Sequence, residues 1–325
     1  MRAADAGRWA LRRVKREVAG NLDNMNLADI RKFFAEEIRA VANIQTEALA
    51  TAFAKVSRED FLGPGPWQIA SPDARGSSIG GTAIGTTYRA TDDAGPRHLY
   101  HNILIAIDPS RQLNNGHPST LASWLDALEL KEGGRALHVG CSVGYYTAII
   151  AEVVGPNGHV TGIEIDPDLA SRARKNLAHL DHVEVLQADG GEFNFQPNDA
   201  IFINAGATHV RSAWLNNLRP GGRLLLPLTF AADPDANGMG FMLKVTYERQ
   251  SYAARFLSPV MIFPCIGSRN EESNQRLLDA MKRGTWGAVQ SLRRESHEPS
   301  DTCWLHGDNF CLSTLPVAEA SSAPD

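Results

Sequence analysis

The sequence contains little cysteine and no long apolar run. Its four cysteines, Cys141, Cys265, Cys303 and Cys311, are too few and too scattered for the disulfide framework of a small secreted protein. No stretch of about 18 apolar residues is present, and the first residues lack the apolar core of a secretory signal. We therefore expect a cytoplasmic protein with reduced cysteines and without a membrane span.

A strong charge of either sign is also absent. The 325 residues include 32 Lys and Arg against 37 Asp and Glu, which gives a net charge of -5. A global electrostatic attraction to nucleic acid is therefore not expected, and no nucleic-acid partner is predicted. The hydrophobic fraction of 43% and the charged fraction of 21% are typical of a folded globular protein.

One group of potential metal ligands lies near the end of the chain. Cys303, His306 and Cys311 are close in sequence, but their C-x2-H-x4-C spacing does not match a standard zinc site. A fourth ligand is not apparent from the sequence. We therefore predict no metal site, and interpret these cysteines as buried small side chains.

Composition and periodicity divide the chain into four parts. Residues 1–25 form a basic segment, and residues 26–134 combine helical patterns with a long polar loop region. In residues 135–267, apolar runs of strand length alternate with helical patterns. This alternation predicts an α/β fold with a doubly wound, Rossmann-like parallel sheet and helices on both faces. The runs 241–248 and 259–263 predict additional edge strands, and residues 268–325 form an extension with a disordered tail.

Glycines follow the first strand of this alternation. Gly140 allows a tight turn off the strand, and Gly144 allows close approach of a ligand or of another backbone segment. The helix that begins next presents N-terminal amides, which suit a ligand carboxylate. A plain tight turn is the alternative interpretation of this motif.

Two acidic residues follow the next two strands. Glu164 lies 20 residues after Gly144, where doubly wound folds place an acid that binds ribose hydroxyls. Asp166 and Pro167 already supply a helix cap and a first helical residue, so Glu164 is left for a ligand. Asp189 can accept a hydrogen bond from an adenine amine, or serve as a turn residue. The glycine turn, Glu164 and Asp189 follow three successive strands, and this order favours a single nucleoside-binding site.

Three runs in this region resemble the protein-L-isoaspartate O-methyltransferase family: ALHVGCSVGYYTAIIAEVVGPNGHVTGIEIDPDLASRARKNL, VEVLQADG and DAIFINAGA. The likeness covers about residues 45–267. It implies an S-adenosyl-L-methionine-binding methyltransferase core at 135–267 and carboxyl O-methylation, with L-isoaspartyl residues of damaged proteins or peptides as the leading acceptor. The implied cofactor-binding residues are His138, Gly140, Ser142, Gly144, Glu164, Asp189, Gly190 and Asn204. His138 stands where the family has an acid, and Ser142 where it has glycine.

The segment expected to bind the acceptor departs further from the family. A family segment of the form Q-T-I-S-x-P corresponds here to 113–118, with Gly116 in the position of the serine. Asn114, Asn115 and His117 are the candidate catalytic residues that replace its hydrogen bonds, and a polar turn is the alternative. A carboxylate acceptor is ionised at neutral pH and needs no general base, whereas a hydroxyl or amine acceptor would need one, such as His101 or His117. The acceptor therefore stays open among a peptide carboxylate, another carboxylate and a small metabolite.

Two other classes of function remain. The run from Gly140 to Gly144 also matches G-x-S-x-G, in which Ser142 would be the nucleophile of an α/β-hydrolase with Asp301 and His306. That reading leaves Glu164 and Asp189 without a role. A non-catalytic protein that retains the fold and the cofactor is the third possibility. The sequence does not indicate an oligomeric state.

Overall fold

The computed structural model describes residues 26–71, 87–192, 196–233 and 236–317. The predicted basic segment 1–25 lies outside the described residues, as do 72–86 of the polar loop region and 318–325 of the predicted tail. Within the described ranges, every helix is too short or too polar to cross a bilayer.

The predicted N-terminal helices are present. They are α1 (Leu27–Ala42), α2 (Glu47–Lys55) and α3 (Glu59–Leu62). The side chain of Asn26 caps α1 by accepting a hydrogen bond from the amide of Ala28 at 2.7 Å. Phe34 and Phe53 are buried where α1 and α2 pack together. These helices therefore extend the hydrophobic core of the sheet domain.

Short strands and a further helix connect these helices to the main sheet. One hairpin pairs β1 (Gln68–Ala70) with β2 (Tyr88–Ala90), and a second pairs β3 (Ala106–Asp108) with β4 (Leu113–Asn114). Helix α4 (Pro118–Ala127) begins with proline at its first position, where the missing amide costs nothing.

Ten strands form the main sheet. They are β5 (Arg135–Val139), β6 (His159–Glu164), β7 (Val183–Gln187), β8 (Asn198–Ile203), β9 (Leu218–Phe230), β10 (Gly238–Glu248), β11 (Ser251–Ile262), β12 (Ser291–Arg293), β13 (Cys303–His306) and β14 (Cys311–Ser313). Their order is β13-β14-β12-β11-β10-β9-β8-β5-β6-β7. The five neighbouring strands β9-β8-β5-β6-β7 pair in parallel. All other pairs in this sheet are antiparallel. The α/β, Rossmann-like prediction is confirmed.

The two strands predicted at the edge lie inside the sheet. Strands β10 and β11 are the runs in question, and β12, β14 and β13 continue the sheet beyond them. The prediction was wrong because the extension predicted at 268–325 contributes three short strands to the same sheet.

Helices cover both faces of the sheet. Helices α5 (Tyr145–Val154) and α6 (Pro167–Leu177) share one apolar core with α1, α2 and α4. Helices α7 (Ser212–Asn216) and α8 (Glu271–Arg283) pack on the second core, which includes Trp304 from β13. Each buried strand therefore has apolar neighbours on both sides, as expected for a doubly wound sheet.

The strand order reverses between β5 and β8. The chain runs from β5 outward to β7 and then returns to the other side of β5 as β8. In open α/β sheets such a switch point leaves a crevice outside the carboxyl ends of the strands, where ligands bind. The glycines after β5 and Asn204 after β8 lie at this point.

Candidate active site

The turn from β5 to α5 has an unusual backbone. Gly140, Ser142 and Gly144 all have positive φ angles, of 76°, 52° and 95°. A Cβ atom at Gly140 would lie 3.2 Å from the carbonyl oxygen of Asn204, and one at Gly144 would lie 2.8 Å from Leu177. Glycine is thus required at both ends of the loop. Ser142 occupies a left-handed conformation that costs an L-residue about 1–2 kcal/mol.

Glu164 closes the other side of this turn. Its carboxylate accepts hydrogen bonds from the amides of Ser142 at 2.7 Å and Asp166 at 3.1 Å. Burial raises the pKa of Glu164, although these two amide hydrogen bonds oppose the shift. A carboxylate offers about four lone-pair directions, so these hydrogen bonds leave part of its capacity for further donors. The side chain therefore both fixes the glycine turn and retains capacity for ribose hydroxyls.

Asp166 leaves Glu164 available, as the sequence predicted. Its carboxylate accepts from the amides of Asp168 and Leu169, both at 3.0 Å, and so caps helix α6. The cap function therefore belongs to Asp166 and not to Glu164.

Asp189 and Gly190 follow β7 at the same edge of the sheet. Asp189 accepts from the amide of Gly191 at 2.8 Å, and the carbonyl of Gly190 accepts from the indole of Trp214 at 2.8 Å. A Cβ at Gly267 would lie 2.0 Å from the Asp189 carboxylate, so the backbone there closes over this side chain. Sequence reasoning missed Gly267, a glycine five positions after the end of the last long strand, β11.

His138 lies beneath the glycine turn. The side chain is 1% exposed, its Nδ1 is 2.9 Å from the Thr147 hydroxyl, and its ring stacks on Phe202. Burial lowers the pKa of His138 to about 3, so the imidazole is neutral at physiological pH. Its side chain therefore supports the turn from inside the protein, and a direct contact with the cofactor stays a prediction. The backbone N–H of Asn204 donates to the carbonyl of Val139 at 2.8 Å and joins the ends of β8 and β5.

The predicted acceptor segment lies against the start of α5. A Cβ at Gly116 would lie 3.7 Å from the ring of Tyr146. Arg111, just before the segment, forms an ion pair of 2.5 Å with Asp166, two residues after Glu164. The structure therefore brings the segment predicted for the acceptor to the same edge as the segment predicted for the cofactor.

Two of the three candidate catalytic residues shape their own loop. The side-chain oxygen of Asn114 accepts from the amide of Gly116 at 3.0 Å. Asn115 is buried, and its side-chain oxygen accepts from the amide of Ile105 at 2.9 Å. Both carboxamide oxygens are thus engaged in the protein, and a role in acceptor binding, through the Nδ2 groups, stays a prediction.

His117 is held in an oriented hydrogen-bond chain. Asn102 donates to the hydroxyl of Ser119 at 3.0 Å, and that hydroxyl lies 3.2 Å from Nδ1 of His117. When the Ser119 hydroxyl is the donor to Nδ1, the Nε2–H of the neutral imidazole is a donor. Burial, and secondarily the charge of Arg58, lower the pKa of His117, which favours this neutral form. Sequence reasoning missed Ser119, although it stands two residues after His117, and Asn102, which only the fold brings to Ser119.

A buried cation lies below this region. Arg58 is 1% exposed and donates through Nη1 to the carbonyls of Leu99 and His101. Its Nε and Nη2 find no hydrogen-bond partner among the residues that the structure describes. The positive charge of Arg58 contributes to the lowered pKa of His101 and of His117. Arg58 therefore places a buried positive charge near His117.

The residues required for a hydrolase are not connected. Ser142 is linked through its amide to Glu164, whereas the proposed His306 lies on β13, at the far edge of the sheet from β5. In the described part of the chain, Nδ1 of His306 has no hydrogen-bond partner, so Asp301 does not orient it. A serine triad needs both connections, and the hydrolase interpretation is not favoured.

Comparison with known proteins agrees with this geometry. The family model for protein-L-isoaspartate(D-aspartate) O-methyltransferase matches residues 92–238. The protein-L-isoaspartate O-methyltransferase of Ignicoccus hospitalis is 37% identical over 175 residues, which are 52% of this chain and 80% of the relative. That of Methanothermobacter thermautotrophicus is 32% identical over 248 residues, which are 74% of this chain and 97% of the relative.

Solved structures share the fold. A structure described as a protein-L-isoaspartate O-methyltransferase superposes with a TM-score of 0.56 at 19% identity, over 78% of this chain and 69% of its own. A Plasmodium falciparum structure described as a beta-aspartate methyltransferase in complex with S-adenosyl-L-homocysteine gives 0.52 at 18% identity, over 72% and 97%. The two sequence relatives, 37% and 32% identical and matched over 80% and 97% of their lengths, show that the chain belongs to the protein-L-isoaspartate(D-aspartate) O-methyltransferase family.

Proposed function

We propose that this protein is an S-adenosyl-L-methionine-dependent carboxyl O-methyltransferase whose acceptor is an L-isoaspartyl residue of a protein or peptide. Family membership supports the reaction class. The observation that carries the proposal is the ion pair between Arg111 and Asp166, which joins the acceptor segment to the cofactor edge of the sheet. Donor and acceptor sites must adjoin for direct group transfer, and alignment of this kind contributes up to about 7–11 kcal/mol in favourable cases.

The residues at the sheet edge fit the cofactor. In this proposal Glu164 accepts from ribose hydroxyls with its remaining hydrogen-bonding capacity, and Asp189 accepts from the adenine amine. The turn from Gly140 to Gly144 offers backbone to a ligand, with no side chain at its two glycines. When bound, S-adenosyl-L-methionine supplies a methyl group that is already activated by the positively charged sulfur. The protein then has to orient the acceptor and exclude water.

The acceptor side favours a carboxylate. Such a group is ionised at neutral pH, so no base has to remove a proton from it. Arg58 supplies a buried positive charge, and the Nε2–H of His117 supplies a directed donor. Gly116 removes the hydroxyl that the family places here, and His117 takes over its hydrogen bond in this proposal. A peptide carboxylate in a reducing cytoplasm, and not a nucleic acid, remains the predicted partner.

One assay tests the acceptor. The full chain and methyl-labelled S-adenosyl-L-methionine are incubated with an isoaspartyl peptide and with its aspartyl twin. We expect base-labile label on the isoaspartyl peptide alone. His117→Ala should lower kcat/KM for this peptide by about 10-fold or more, the effect of losing a hydrogen bond to a charged group, while cofactor affinity stays unchanged.

The exposed His179 provides the matched control, because His179→Ala removes an imidazole far from the segment in sequence and should keep full activity. If the wild-type protein binds S-adenosyl-L-homocysteine but labels neither peptide, the isoaspartyl acceptor is wrong. Label on a different carboxylate would then show that the protein is a methyltransferase with another acceptor.

A further inference from the structure

Four potential metal ligands meet in the C-terminal extension. One ligand atom from each of His297, Cys303, His306 and Cys311 lies within 4.8 Å of the others. The spacing in sequence is H-x5-C-x2-H-x4-C. His297, which the sequence analysis did not include, supplies the fourth ligand.

The pairing of β13 with β14 explains how the other three ligands converge. His306 lies directly opposite Cys311 in the antiparallel register. Cys303 precedes His306 by three positions, which in a regular strand would place the two side chains on opposite faces. The register shifts between Cys303 and Leu305, and an irregularity of this kind re-aims a side chain.

The atoms around the cluster resemble the outer shell of a metal site. Nδ1 of His297 lies 2.9 Å from the carbonyl of Glu295, which orients Nε2 to within 3.4 Å of the Cys303 sulfur. The amide of Ser300 donates to the same sulfur at 3.3 Å. Arg293 donates to the sulfurs of Cys303 and Cys311 at 3.3 and 3.6 Å. Carbonyl-bound imidazoles and N–H donors to sulfur are the partners that orient zinc ligands.

A second observation points to a missing partner. Nδ1 of His306 is buried and has no hydrogen-bond partner among the described residues. A buried polar atom without a partner costs free energy, so native proteins rarely keep one without a reason. A metal ion in the centre of the cluster would place a positive charge beside this imidazole and both sulfurs.

We propose that His297, Cys303, His306 and Cys311 bind one Zn²⁺ ion in a tetrahedral site. Two thiolates and two imidazoles are the donor set that zinc prefers. Ligand atoms around tetrahedral zinc lie about 3.3–3.8 Å apart, from metal–ligand distances of 2.0–2.3 Å. A contraction of about 1.0–1.5 Å from the observed limit of 4.8 Å is therefore sufficient.

With four protein ligands the site is closed, which is the arrangement of structural zinc. The ion would fasten the connection that contains His297 to the outermost strand pair of the sheet, β13 and β14. These elements are short, and each strand contributes few hydrogen bonds by itself. The site does not depend on methyl transfer, and its test uses metal content and thiol reactivity.

The first experiment measures zinc in the full chain. Reduced protein is equilibrated with Zn²⁺, dialysed against metal-free buffer and analysed by mass spectrometry of the metal. We expect about one zinc ion per chain in the wild type and in the control His179→Ala. Cys303→Ser and His297→Ala should each bind zinc more than about 100-fold more weakly, since even outer-shell partners account for 10–100-fold. Cobalt in place of zinc should give a thiolate charge-transfer band that Cys303→Ser removes.

The second experiment uses only wild-type protein, in case a variant does not fold. Alkylation rates of each cysteine are mapped with and without Zn²⁺. Zinc should slow the alkylation of Cys303 and Cys311 at least about tenfold and leave Cys141 and Cys265 unchanged. A wild-type chain that retains no zinc, equal alkylation rates with and without zinc, or full zinc retention in both ligand variants would overturn the proposal.

Discussion

Glu164 performs two tasks with one carboxylate. It accepts backbone hydrogen bonds from Ser142 and Asp166, and we predict that it also accepts from the cofactor ribose at the carboxyl end of β6. Burial raises the pKa of Glu164, so the ionised carboxylate lowers the free energy of unfolding. Such a cost is expected where a buried acid serves a ligand.

Replacing this acid tests its role in cofactor binding. Glu164→Ala should weaken S-adenosyl-L-homocysteine binding by about 1–3 kcal/mol, the loss expected for charge-assisted hydrogen bonds. Calorimetry on variants with native circular dichroism measures this difference. Glu184→Ala, an exposed acid on the neighbouring strand β7, is the control and should bind normally. Equal affinity of the two variants would contradict the ribose assignment.

His138 makes stability depend on pH. Its pKa falls from 6.5 to about 3 on folding because the imidazole loses its hydration. Between these values the unfolded state binds more protons, so stability is present above pH 6.5 and is lost as pH falls. From about pH 7 to pH 5 this one group should cost about 2 kcal/mol of unfolding free energy. His138→Gln should remove that part of the slope in urea titrations at both pH values, whereas a slope equal to the wild type would show that the group does not titrate as inferred.

At the scale of elements, the β5–α5 turn determines where a ligand can approach. Three alternating residues with positive φ reverse the chain direction, and only two of them are glycine. Ser142 therefore carries backbone strain that a glycine would avoid, although glycine also gives the unfolded chain more freedom. The two effects partly cancel.

Ser142→Gly separates the two enzyme classes at this turn. We expect the variant to retain methyl transfer and to unfold at equal or slightly higher free energy, by up to about 1 kcal/mol. A nucleophilic serine would instead lose several orders of magnitude in turnover on the same change. Methylation kinetics and thermal denaturation of the purified variant decide the outcome. Covalent labelling of wild-type Ser142 by a fluorophosphonate would contradict our assignment.

At the scale of the whole molecule, the C-terminal strands continue the sheet of the cofactor core. Trp304 of β13 is 3% exposed, packs edge-on against Phe256 of β11, and donates its indole N–H to Gly284 at 2.7 Å. The boundary predicted at residue 267 therefore falls within one continuous sheet.

Cooperativity across that boundary can be measured. Trp304→Ala should lower the unfolding free energy by about 3–5 kcal/mol, the usual cost of removing a large buried aromatic side chain. Urea titrations are followed by circular dichroism and, separately, by binding of S-adenosyl-L-homocysteine. If core and extension unfold together, the substitution should shift the midpoints of both titrations by the same amount. A separate early transition that spares cofactor binding would show that residues 268–317 form an independent unit.

Local patterns in the sequence predicted the frame of the site. The alternation of strands and helices, the glycines after β5, the acid at the end of β6 and the cap at Asp166 depend on residues within a few positions of one another. Elements of this kind follow from periodicity and backbone preference, which a single sequence displays directly.

Long-range contacts were decided only by the tertiary structure. Arg111 meets Asp166, Asn102 orients Ser119 and His117, and the charge of Arg58 lies below them, across separations that periodicity does not report. The extension shows the same limit, because Cys303 meets His297, His306 and Cys311 of the proposed zinc site where the register between β13 and β14 is irregular. A sequence specifies which residues prefer a strand or a turn, but the packing of distant elements determines which side chains meet, since each such contact depends on the free energy of the whole fold.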